Sequence, residues 1–358
     1  MYYFFFFCNS INSSEILDFE TEIFIGDIIN QIKKKNKTNK DIKFKIIANN
    51  NINAFVDQNN IIYITSGLIE NCFDYVALLA VVAHEVGHID NNHIIQRKLN
   101  IDKIKKINNF SNFSIIAGSL IAGNTELMNT ILLSSAGTTS YHINFSKDQE
   151  READIYSLNT IMGMGLYSNS IIELLKTIEG QGFNKGLTKE KIKTSFHPYF
   201  EERIDIINYL KQTNHPNFDI EKNKQFKFIQ AKFLGYNANV KNINKLPDPY
   251  KIYAYSILNA RKGDLKKSLT ELNKLILRNK NNTFLIETKA DILFSYGYIN
   301  ESIRFYEKVL SNFPENNYAQ IRIFENQNIE NLNKNEINSM FIKNLNLLEK
   351  YYNNKNLL

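Results

Sequence analysis

The residues that could do chemistry in this chain of 358 residues fall in two short stretches. The first is His84-Glu85-Val86-Gly87-His88, an HExxH pentad at the end of the apolar run Leu78 to Ala83. On an α-helix, positions i and i+4 lie on one face. His84 and His88 can therefore hold one metal ion between them, with Glu85 beside it to act on a bound water. Alone, the pentad is a weak signal, and an ordinary charged helical turn fits it equally well. The second stretch, Ser146 to Asp154, reads SKDQEREAD and starts another helix. Glu150 and Asp154 are one turn apart and share a face. Two His and one Glu form a standard catalytic zinc set that leaves a position for water, so Glu150 is the third ligand. Asp154 can accept the spare ring N–H of a ligating histidine. Glu152 points to another side of that helix. An ExxxD pair by itself is an acidic helix face; downstream of an HExxH it reads as a gluzincin site.

Other elements must position these residues. Residues 13–35 have helical apolar spacing, with Ser13 or Ser14 as the cap. Phe44 to Ile47, Asn53 to Val56 and Ile61 to Ile64 read as short strands of a small antiparallel sheet, with a turn at Asn59-Asn60. Thr65-Ser66-Gly67 can cap a helix starting at Leu68. Asn53 to Asp57 is a candidate edge for pairing with an extended peptide, or else an ordinary internal strand. The pentad helix is expected over residues 74–99, its apolar first half buried. On such a continuous helix His93 points away from the metal face, and the metzincin spacing does not fit it. It is read as a surface or packing histidine. Two apolar stretches within residues 113–136 are each shorter than the ~20 residues that span a bilayer. They suggest a helical hairpin that packs on the domain or makes peripheral membrane contact. His197-Pro198 alone marks a loop. Near a zinc site, His197 or Arg203 could stabilise an oxyanion, or His197 could take the fourth metal position.

Bulk properties narrow the classes. A hydrophobic content of 43% and a charged content of 22% suit a folded soluble protein. The net charge of +6 is partly local, in Lys33 to Lys45. No nucleic-acid motif accompanies it, so a solvated lysine face is the reading and no nucleic-acid partner is expected. Two cysteines, Cys8 and Cys72, exclude a disulfide framework. Tyr2 to Cys8 is apolar but lacks a basic n-region, since the first Lys or Arg is Lys33. A shortened export signal, a misassigned start and a buried segment all fit.

From Tyr250 the chain repeats. Gly263 and Gly297 are separated by the ~34-residue tetratricopeptide (TPR) period. Leu265 matches Ile299, Ser268 matches Ser302, Leu275 matches Val309 and Asn282 matches Asn316. Two units are too few for a free solenoid. Phe226 to Tyr236 and Ile337 to Tyr352 are candidates for flanking helices.

Taken together, Asn53-Ala54-Phe55, Ser66 to Ile69, Leu79 to His93, Glu150 to Asp154, and His197-Pro198 with Arg203 resemble the HtpX-like and CAAX-prenyl-protease-like zinc metallopeptidases. Within that family the chain resembles the periplasmic branch with a TPR tail, of the beta-barrel assembly-enhancing type. The resemblance implies zinc, endopeptidase activity and quality control of outer-membrane proteins. It departs where Val56 to Asn60 lacks the Pro-Gly-Gly turn usual after Asn-Ala-Phe.

The expected fold is therefore α+β and mostly α: an apolar segment or signal over 1–12, a gluzincin-type peptidase domain over 13–215, a connecting helix and linker over 216–249, and TPR-like helices over 250–358. The expected function is zinc-dependent cleavage of unfolded or misassembled proteins in the periplasm, with one Zn²⁺ per chain. The tail would bind substrate or outer-membrane assembly machinery. The alternative is a chaperone-like assembly adaptor in which the tail dominates.

Overall fold

The computed structural model describes residues 15–57, 59–96, 147–184, 204–205, 207 and 217–326. The hairpin expected over 113–136, His197, Arg203 and the helix expected over 337–352 lie outside the described residues. The fold is α+β and mostly helical. It divides into two compact units, one of residues 23–45 and 51–227, the other of residues 1–22, 46–50 and 228–358.

Four short strands form one sheet in the order β1-β2-β4-β3. They are β1 (Glu15–Ile16), β2 (Lys43–Ile47), β3 (Ala54–Val56) and β4 (Ile61–Thr65). β1 is antiparallel to β2, pairing Glu15 with Ile47. β3 is antiparallel to β4, pairing Ala54 with Ile64 and Val56 with Ile62. The sheet as a whole is mixed, so the remaining neighbours β2 and β4 run parallel. Asn60, at φ 60°, turns the chain between β3 and β4, a backbone conformation Asn tolerates better than most residues. Among the described residues, β3 ends the strand order on its side of the sheet.

In the first unit, helix α1 spans Phe19–Asn36 and buries Ile25, Ile28, Ile29 and Ile32 at helical spacing. Its start is later than residue 13, because Glu15 and Ile16 are extended in β1. The Thr65 side chain caps α2 (Ser66–Asn71) by accepting from the Leu68 N–H. Helix α3 spans Tyr75–Asp90, with the Asp74 carboxylate accepting from the Ala77 N–H. Fourteen of its sixteen residues are buried, as its continuous apolar run requires. It ends at Asp90, short of the expected 99. Asn92 adopts φ 58°, which breaks the helix and redirects the chain into a further helical turn at His93. Helix α4 (Lys147–Gly163) packs along α3, and α5 (Asn169–Asn184) also contacts it. The Ser157 hydroxyl donates to the Ala80 carbonyl at 2.7 Å, and Ser170 donates to Asp74 at 2.6 Å.

Helix α6 (Ile220–Tyr236) enters the other unit at Phe228, and that unit continues through α7 (Val240–Ile243) into two helical hairpins. These are α8 (Tyr250–Arg261) with α9 (Leu265–Arg278), and α10 (Thr283–Ser295) with α11 (Ile299–Asn312), followed by α12 (Asn317–Asn326). Gly263 and Gly297 turn the two hairpins at φ 90° and 81°. Leu272, Leu275, Leu285 and Ile257 form one core, and Ala290, Tyr306 and Val309 another. A cavity of about 770 Å³ lies within this unit, lined in part by Lys232, Glu287, Asp291 and Arg322. Among the described residues, no helix is long and apolar enough to cross a membrane.

Candidate metal centre

His84 and His88 stand on α3 and Glu150 on α4. The docking of these two helices brings the three side chains together. Gly87 makes the approach close: a Cβ there would lie 3.1 Å from Tyr156 Cβ and 3.3 Å from the Ala153 Cα. Asp90 fastens the end of α3, accepting from Thr38 Oγ1 at 2.6 Å and from Tyr156 Oη at 3.1 Å.

The three groups are buried, and their ligand atoms lie within 4.8 Å of one another. His84 Nε2 is 3.1 Å from His88 Nε2 and 3.4 Å from Glu150 Oε2. His88 Nε2 is 3.7 Å from Glu150 Oε1. Tetrahedral zinc with bonds of ~2.0–2.1 Å sets its ligands roughly 3.3 Å apart, so the set has the right size.

The outer nitrogens decide what faces the centre. His84 Nδ1 lies 2.9 Å from Asp154 Oδ1, and a carboxylate only accepts, so this nitrogen carries the proton. The neutral ring then presents a lone pair at Nε2. His93 Nε2 lies 2.9 Å from Glu152 Oε2, which places its proton there and leaves Nδ1 as an acceptor. His88 Nδ1 is 3.0 Å from that acceptor and so donates to it. His88 Nε2 is therefore also a lone pair. Two lone pairs and a carboxylate converge on one buried point, which fits a cation and repels itself without one.

Glu85, also buried, lies beside this point. Together with His84, Asp154, Asn53 and Ala54 it lines a cavity of about 70 Å³, which Leu174, Leu175 and Ile178 also line. Through Ala54, strand β3 contributes to this lining. Asp154 contacts His84 as the helical spacing required. His93 is placed otherwise than expected: it is 1% exposed and touches a candidate ligand. The Asn91-Asn92 pair is the signal for this, because Asn is a common helix terminator in left-handed conformation. Burial raises the pKa of the Tyr156 hydroxyl, with Asp90 adding to the effect. Burial likewise raises that of Cys72, whose thiol is inert on that account.

Residues 25–211 match peptidase family M48. A putative beta-barrel assembly-enhancing protease of Vibrio cholerae is 21% identical over 280 residues, 73% of this chain and 56% of that protein. The beta-barrel assembly-enhancing protease of Escherichia coli K12 is 23% identical over 212 residues, 58% of this chain and 42% of that protein. The metalloprotease LoiP of Escherichia coli K12 is 26% identical over 153 residues, 41% of this chain and 56% of that protein. The chain thus spans about half the length of these curated relatives.

Proposed function

The chain belongs to peptidase family M48, and on that premise we propose that it is a zinc-dependent endopeptidase. The observation that carries this reading is the convergence of His84 Nε2, His88 Nε2 and the Glu150 carboxylate on one buried point. These three would hold one Zn²⁺. When bound, zinc would lower the pKa of a water and polarise the scissile carbonyl. Glu85 takes the proton of the attacking water on its carboxylate and passes it to the leaving amine nitrogen. Asp154 holds His84 in the Nδ1–H tautomer throughout. His197 and Arg203 remain candidates for oxyanion stabilisation.

Unfolded or misassembled protein is the substrate class, and the cavity that Glu85 lines with Ala54, Leu174 and Leu175 would take a small apolar side chain of it. The names of two relatives, both beta-barrel assembly-enhancing proteases, support a part in beta-barrel assembly, which we take to be outer-membrane protein quality control in the periplasm. In that role a TPR-like tail over 250–358 recruits substrate or assembly machinery. The test is cleavage of an unfolded protein by the wild type and by Glu85→Gln, with bound zinc measured in both. Zinc retained with cleavage reduced by ~10³-fold or more is expected from loss of the general base. Equal cleavage in both proteins refutes Glu85 as the base. Full biological function of Glu85→Gln would favour the adaptor instead.

A further inference from the structure

Both histidines of the centre are held from behind, but by different routes. Behind His84 stands the buried carboxylate of Asp154 at 2.9 Å. Behind His88 stands another imidazole, His93, and behind that the carboxylate of Glu152, whose side chain is 61% exposed. The break after α3 makes this possible. With Asn92 at φ 58°, the chain leaves the helix axis and returns His93 against His88. On an unbroken helix a residue five positions on would lie well round from the metal face.

We propose that His93 and Glu152 are a positioning pair for His88, so that one turn of α4 governs the whole metal centre. The proposal rests on the zinc reading above. Glu150 supplies a ligand, Asp154 orients His84, and Glu152 orients His88 through His93. The proton placement is consistent along the chain: His88 Nδ1–H donates to His93 Nδ1, and His93 Nε2–H donates to Glu152. A hydrogen-bonded carboxylate behind a ligating imidazole fixes its ring and raises its basicity. Here that influence passes through one further ring and ends at the surface. The three acidic residues of Glu150-Arg151-Glu152-Ala153-Asp154 therefore act as a unit, and docking of α4 on α3 assembles ligands and supports in one step. His93 is a positioning residue, since it does not touch the metal or substrate.

The test measures zinc affinity by chelator competition, and the visible absorption of the cobalt(II)-substituted protein, on the full chain. His93→Phe keeps a ring but removes the acceptor, and zinc affinity is expected to fall ~10–100-fold with an altered cobalt spectrum. Glu152→Ala, at an exposed site, is expected to cost on the order of 10-fold in the wild type and little in the His93→Phe background. Should His93→Phe not fold, His93→Asn serves as the background. Its Oδ1 can replace the acceptor while losing reach to Glu152, so zinc affinity is partly kept and Glu152→Ala becomes silent. Wild-type affinity and spectrum in both single variants would overturn the proposal. An equal loss from Glu152→Ala in both backgrounds would also overturn it, because the carboxylate would then act through space. A wild type that binds no zinc at all would instead refute the underlying metal reading.

Discussion

Helices α3 and α4 approach each other closely at Gly87, and filling it should disturb the candidate metal centre before it disturbs the fold. A Cβ added there lies 3.1 and 3.2 Å from Tyr156 Cβ and Cγ, and 3.3 Å from the Ala153 Cα. Carbon contacts are comfortable at roughly 3.5–4.0 Å. Relief therefore requires a shift of a few tenths of an ångström, and Ala153 Cα is backbone that can yield only by moving α4. Zinc–ligand distances tolerate about 0.2 Å. Glu150 is three residues from Ala153 on the same helix, so it moves with it. For stability the terms oppose: Gly→Ala within a helix gains ~0.5–1 kcal/mol, and overpacking costs ~1–3 kcal/mol. The net is a loss of about 0–2.5 kcal/mol, within reach of a folded domain. Gly87→Ala is thus expected to stay folded with a slightly lowered melting temperature, while zinc affinity by chelator competition falls about tenfold or more. Wild-type zinc affinity with unchanged cleavage would falsify the argument that this contact sets the ligand spacing.

Three further predictions follow from named contacts. Asp154→Asn, which keeps the shape but removes the obligate acceptor from His84 Nδ1, should weaken zinc binding ~10–100-fold, measured by the same competition. Lys232 is buried and ion-paired to Asp18 at 2.8 Å and Glu20 at 2.6 Å, so Lys232→Ala strands the buried carboxylate of Glu20 and unpairs the half-buried one of Asp18. It should cost ~3–5 kcal/mol in denaturant unfolding, against a smaller loss if the pairs are solvated. Glu287 has its pKa raised from 4.5 to about 8, chiefly by burial, with Lys232 and the Asn316 amide opposing. An acid raised on folding binds its proton more tightly in the folded state. Its contribution is full below about pH 4.5 and is lost as pH rises to about 8. Glu287→Gln should therefore flatten the fall in stability over that window, by a few kcal/mol at its upper end. An unchanged pH slope would place the Glu287 carboxyl in water.

How much of this was legible beforehand depends on the range of the interaction. The pairing of His84 with His88, and of Glu150 with Asp154, follows from a periodicity that any helix obeys. The strands at Lys43–Ile47, Ala54–Val56 and Ile61–Thr65 came from local apolar runs and the Asn59-Asn60 turn. The Thr65 cap also lies within one turn of the backbone it serves. What misled was the expectation that α3 would run on through the polar residues after Asp90 to residue 99. Asn92 stops it at Asp90, because a single left-handed residue outweighs the weak helix preference of the polar residues that follow. The placement of His93, and with it the role of Glu152, changed for that one reason. Similarly, Ser13 and Ser14 suggested a cap, but Glu15 and Ile16 found strand partners in Ile47 and Ile46, which no local signal announces.

The sequence by itself determined the chemical inventory: two imidazoles on one helix face with a carboxylate next to them in the chain, two carboxylates on another helix face, and repeated helical hairpins later in the chain. Those are properties of residue type and short spacing, set by backbone geometry wherever the helix forms. Only the tertiary structure decided that the two faces meet at ligand distance, and that Gly87 lets them. It also decided that His93 reaches back to His88, and that Glu152 stands behind it. Each of these depends on where one helix ends and how closely another docks, and such distances are settled by side-chain volume and contact across the whole unit.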